Sequence, residues 1–199
     1  MPNRETRELQ EFGKDKLERL FSNLSPGIKI EVKKEFHPFI GNGNAQISSP
    51  ILDIAVGPFA TQNQQIGAYQ RMALDLTCKE FLEKAILKHN NNIEQCNESA
   101  DHNTVLLLDD ALHENGNPRC FLAIEIEGRV DRKVVLADIV NTSALGKIGV
   151  IVAKTDKVRN IFLRLLNYLN FLRDVGKPTY NVKNILILTK EQFKEILEN

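Results

Sequence analysis

Two short runs, "IGVIVA" (148–153) and "NILILT" (184–189), constrain this chain more than anything else in it. Both are apolar without alternation. A strand of that kind is buried on both faces, which happens where helices cover both sides of a parallel sheet. Segments of helical spacing surround them: "VVLADIVNTSALG" (134–146), with Gly146 where a helix cap belongs, and "KVRNIFLRLLNYLNFLRDVG" (157–176), closed by Gly176. "KEQFKEILEN" follows as a closing helix. The crossover from the 134–146 helix into the 148–153 strand implies parallel pairing in this half.

The other half has a different rhythm. Leu9, Phe12, Leu17, Leu20, Phe21 and Leu24 mark an amphipathic helix over 4–24, stopped by "SPG" at 25–27. "IKIEVKKEF" (28–36) alternates as a half-exposed strand, "HPFIGNGNAQISSP" (37–50) is a turn-rich loop, and "ILDIAVGPF" (51–59) is a short apolar strand ended by Gly-Pro. These two strands meander antiparallel. Helical spacing then runs over about 66–89, and the Asn-rich "KHNNNIEQCNESADHN" (88–103) is expected as a surface loop. "TVLLLDDALHENGNP" (104–118) fits either a strand with a turn or a short helix. The expected architecture is one α/β domain over 1–199, a central mixed sheet flanked by helices on both faces, with a helical insertion and polar loop at about 60–118.

The 199 residues suffice for one substantial core. No apolar run approaches the roughly 18–20 residues of a membrane span, and "MPNRETRELQ" lacks a signal-peptide pattern, so a cytoplasmic location is expected. Cys78, Cys96 and Cys120 fit reduced thiols, and His37, His89, His102 and His113 show no zinc spacing with them. The zero net charge hides a split. Residues 1–127 hold 13 Lys/Arg against 19 Asp/Glu, and 128–199 hold 13 against 7. Such a polarity permits a cation against one part and a polyanion against the other.

The chemistry concentrates in "CFLAIEIEGRVDRK" (120–133). Glu125 and Glu127 project to the same side of a strand, roughly 7 Å apart along it. Two readings stand: the solvent face of an alternating strand, or carboxylates carried into a buried one. The apolar lead-in "CFLAI" argues for the second, as does Asp53 inside "ILDIAVG". A buried carboxylate must be paired, solvated or metal-bound. Three carboxylates from two neighbouring strands make a hard-oxygen site suited to Mg²⁺ or Mn²⁺.

"PILDIAVG" followed by "FLAIEIEG", a helix and an apolar strand resembles the PD-(D/E)xK nuclease superfamily of restriction endonucleases and resolvases. Carried over residue by residue, Asp53 matches the motif aspartate and Glu125 the motif acid. Glu127 occupies the lysine position, and Pro50 lies three residues before Asp53 rather than beside it. The resemblance implies a restriction-endonuclease-like fold and a Mg²⁺- or Mn²⁺-dependent endonuclease hydrolysing phosphodiester bonds in DNA. It implies metal ligation by Asp53, Glu125, Glu127 and the main-chain carbonyl of Ile126. The missing lysine leaves its part to Glu127 or to Lys133, reaching back from the next turn.

Arg129, Arg132 and Lys147 lie close in sequence to this motif and are candidates for nucleic-acid contact, set against plain solvated surface charge. The apolar stripe from Val158 to Leu172 reads as core, and Tyr168 with Phe171 widens it enough to permit a homodimer. Two other readings remain open. One is a nuclease-like domain without catalysis that binds nucleic acid or a protein. The other is an unrelated α/β protein whose acids pair with lysines.

Overall fold

A computed structural model describes residues 4–22, 24, 30–38, 50–60, 65–96 and 105–198. The "SPG" stop, most of the 37–50 loop with its "GNGN", and the 97–104 end of the Asn-rich segment lie outside the described residues. Five strands form one sheet in the order β1 (Val32–Phe36), β2 (Leu52–Val56), β3 (Cys120–Glu127), β4 (Gly146–Ala153), β5 (Ile185–Thr189). The first two pairings are antiparallel and the last two parallel, so the sheet is mixed.

Seven described helices cover it: α1 (Arg4–Phe21), α2 (Ile66–Leu74), α3 (Leu76–Gln95), α4 (Leu108–Glu114), α5 (Arg132–Leu145), α6 (Asp156–Asp174) and α7 (Lys190–Glu198). Strand residues with even numbers, among them Ile54, Leu122, Ile124, Val150 and Leu188, pack with α1, α3 and α7. The odd-numbered Ile151, Ala153, Ile185 and Ile187 pack with α5 and α6. This two-sided burial is what the unbroken apolar strands require. Leu163, Leu166 and Leu169 of α6 join Val158 and Phe162 in that second core, while Tyr168 and Phe171 stay exposed.

The chain departs from the sequence expectation in three places. Helical spacing over 66–89 conceals a break at Asp75, whose backbone is extended and whose Oδ1 accepts from the amides of Thr77 and Cys78, capping α3. The Asn-rich segment is helix as far as Gln95, not loop. Its polar side chains are bonded inside: Asn92 Nδ2 donates to the Ile187 carbonyl at 2.9 Å, and Asn90 bonds Leu106 in both directions. The 104–118 stretch takes the second of its two expected forms, the short helix α4, while Gly146 is the third departure. Gly146 does follow α5, yet its backbone is extended and it opens β4. A side chain there would place Cβ 2.4 Å from the Ile148 carbonyl oxygen and 2.8 Å from Ala123 Cβ.

All three cysteines are free thiols, two of them buried. Among the described residues, no helix is long and apolar enough to cross a membrane.

Candidate active site

β2 and β3 run antiparallel, with Ile54 opposite Ile124 and Ala55 opposite Ala123. One further step of that register would set Asp53 opposite Glu125, but the ladder stops at Ile54. Asp53 Oδ2 instead accepts from the Ile126 amide at 2.7 Å, so a side chain stands in for the missing peptide acceptor. The β1–β2 ladder skips the same position. Its pairs Lys34–Ile54 and Phe36–Leu52 flank Glu35, whose φ of 48° is left-handed. Asp53 therefore sits where both neighbouring ladders are interrupted. Its other oxygen accepts from Gln10 Nε2 of α1 at 2.7 Å.

Glu125 is buried, at 9% exposure, on the face that α5 covers. Its carboxyl lies close enough to that of Asp53 for each to perturb the other's ionisation. Burial first, and then the charges of Asp53 and Asp138, hold the Glu125 carboxyl well above the ordinary range. Burial also raises Asp53, against the bonds from Ile126 and Gln10 that favour its charge. Two carboxyls on adjacent strands thus meet in a partly desolvated site.

Asp138, on α5, adds a fourth acid that the sequence reading missed. Burial, followed by the Glu127 charge, pushes its carboxyl up to about 7, and its Oδ2 is buried without a hydrogen-bond partner. Glu127 is buried too but turned elsewhere. It accepts from the amides of Gly128 and Arg129 at 2.7 and 2.6 Å, and from the Arg129 guanidinium at 2.7 and 2.9 Å. Burial would raise its carboxyl, but these bonds outweigh it and hold Glu127 below the usual range.

Lys133 lies exposed in the first turn of α5, where its amide bonds the Asp131 cap. Arg132 is exposed beside it. Ile126 meets the site through its amide rather than the expected carbonyl. Lys147 is elsewhere. β3 and β4 pair with Leu122 beside Ile148 and Glu127 beside Ala153, so Lys147 stands at the opposite end of the sheet. At 3.3 Å per residue it is about 20 Å from Glu127.

A cation that the sequence reading passed over stands close by. Lys154 follows β4, is 8% exposed, and donates its backbone amide to the Glu127 carbonyl at 2.9 Å. Its ammonium bonds Thr6 Oγ1 at 3.0 Å and pairs with Glu5 at 3.2 Å. Thr6 and Gln10 lie one turn apart on α1, about 6 Å along the axis, so one helix face holds both Lys154 and Asp53.

The donor set is all oxygen, the kind a hard cation takes. Among the described residues, no group of three or more His, Cys, Asp or Glu side chains is arranged to hold a metal ion. Asp53 and Glu125 alone match the one or two carboxylates with which Mg²⁺ is usually held beside its waters. Compared with known proteins, the chain matches no family model, no curated protein and no solved structure.

Proposed function

We propose that the chain is a Mg²⁺- or Mn²⁺-dependent phosphodiesterase acting on DNA, with a restriction-endonuclease-like fold. The observation that carries this reading is the pair of acids at the break between β2 and β3, Glu125 buried and Asp53 half-buried, close enough that the Asp53 charge helps hold Glu125 above the ordinary range. Two acids forced together out of water are costly unless something neutralises them. A proton does so at low pH, and a divalent cation would do so at the pH of the cell.

Asp53 and Glu125 would hold the cation, which supplies Lewis-acid polarisation of the scissile phosphate and lowers the pKa of a bound water. Gln10 and the Ile126 amide fix the Asp53 carboxylate so that it keeps its orientation when Glu125 ionises. Glu127 stays ionised under the hold of Arg129, available as base or as a ligand once that guanidinium swings to a phosphate. Lys154, whose ammonium is held by Thr6 and Glu5 of α1, would stand in for the motif lysine from β4 rather than β3 by turning toward the acids. Arg129, Arg132 and Lys133, all exposed at this end of the sheet, would meet the DNA backbone. Exposed Tyr168 and Phe171 on α6 would serve a homodimer.

The test is plasmid nicking. Wild-type protein with Mg²⁺ or Mn²⁺ should nick, EDTA should stop it, and Asp53→Ala and Glu125→Ala should each lose at least a hundredfold while remaining folded by circular dichroism. Nicking that survives EDTA would end the metal mechanism. DNA retention without nicking under any cation would favour a binding domain without catalysis, the reading that the Glu127–Arg129 ion pair supports.

A further inference from the structure

A second feature lies at the other end of the sheet. Between α2 and α4 there is a cavity of about 660 Å³, inside the range of pockets that hold small molecules. Ile66, Tyr69 and Ala73 of α2, Leu108 and Leu112 of α4, and Pro118 give it apolar walls. Leu74 stands at its mouth, 84% exposed. Apolar surface gathered around a concavity is what a soluble protein keeps when something fills it.

The polar groups that reach the cavity are few. Lys147 is half-buried, and its ammonium donates to the Asn115 carbonyl at 2.8 Å. An ammonium carries three donors, and a neutral carbonyl does not neutralise the charge. Lys79, also on the lining, pairs with Glu83 at 3.8 Å with both side chains half exposed. Gln70, Asp109 and His113 also line it, His113 Nδ1 donating to the Asp109 carbonyl. The charged lining is thus two lysines against one aspartate, and Lys147 is the more buried of the two cations. A polyanion would have to set many phosphates against hydrocarbon here. A single anionic group on an apolar body would not.

The geometry points to a binding site for a medium-chain carboxylate, its alkyl chain between α2 and α4 and its carboxylate on the Lys147 ammonium. The site is separate from the acidic pair by the length of β4. It gives Lys147, which the sequence placed with the DNA contacts, a different anion to meet.

The probe is decanoate, titrated into the full chain and followed by ¹H–¹⁵N NMR, with decanol as the neutral counterpart. Saturable binding is expected, with shifts confined to α2, α4 and the start of β4, and decanol at least tenfold weaker. Lys147→Met should weaken decanoate about tenfold and leave decanol unchanged. Ala73→Phe, which fills the chamber, should abolish binding of both. Should Ala73→Phe fail to fold, the Lys147→Met comparison decides alone. Equal affinity for decanoate and decanol in the wild type, no saturation by decanoate, or shifts on the Tyr168–Phe171 surface instead would overturn the assignment.

Discussion

Asp138→Asn should stabilise this protein at alkaline pH and not at acid pH. The Asp138 carboxyl is carried from an ordinary 3.8 to about 7, chiefly by burial and then by the Glu127 charge. Its folded pKa lies above its unfolded one, so its favourable contribution is full below pH 3.8 and lost as pH rises to about 7. At 1.36 kcal/mol for each tenfold, the ionised form above pH 7 costs folding about 4 kcal/mol. Asparagine keeps the shape and removes the charge, but burying its amide beside an unpaired position gives back about 1–2 kcal/mol. The net expectation is a gain of about 2–3 kcal/mol at pH 8, vanishing or reversing near pH 4. Urea denaturation in EDTA, followed by circular dichroism at one-unit pH steps for both proteins, measures it. A difference between the two proteins that stays flat across that range would refute the claim that Asp138 is held neutral by its surroundings.

Other consequences do not turn on the titration of Asp138. His89 is wholly buried, its Nδ1 accepts from the Ile187 amide at 3.0 Å, and burial lowers its pKa to about 4. The unfolded chain takes up that proton first, so this group alone should remove about 3 kcal/mol of stability as pH falls from 6.5 to 4. His89→Gln should flatten that part of the pH–stability curve. Gly146→Ala should cost about 2–3 kcal/mol in chemical denaturation, because its Cβ would meet backbone that cannot retreat. Glu35→Gly should gain about 1 kcal/mol by relieving the left-handed backbone, with no change in the sheet's amide pattern by NMR.

The parallel half was legible in the sequence because strands buried on both faces have no polar positions to confuse the pattern; 148–153 and 185–188 could be little else. The same property obscured Glu125 and Glu127, since period-two alternation also describes a strand with one wet face. Only α5 lying over that face settles it. Asp75 was hidden for another reason. Tyr69, Met72, Ala73 and Leu76 keep helical phase across the break, and a cap is recognised by its backbone, which spacing does not report. On composition Asn90 and Asn92 read as solvent-facing, yet each is satisfied by carbonyls or amides far along the chain. Gln10 and Lys154 share that difficulty. Each is a polar residue on or beside a helix, and its partner lies dozens of residues away.

The first turns of α1 clamp Lys154 through Glu5 and Thr6, and Asp53 through Gln10. Anything fused ahead of Arg4 is therefore joined within two turns of the two groups on which a nuclease would depend. An affinity handle there can silence the protein while leaving it soluble and folded, and a blank result from such a fusion says little about the native chain. The opposite end, beyond α7, is the safer place for a handle.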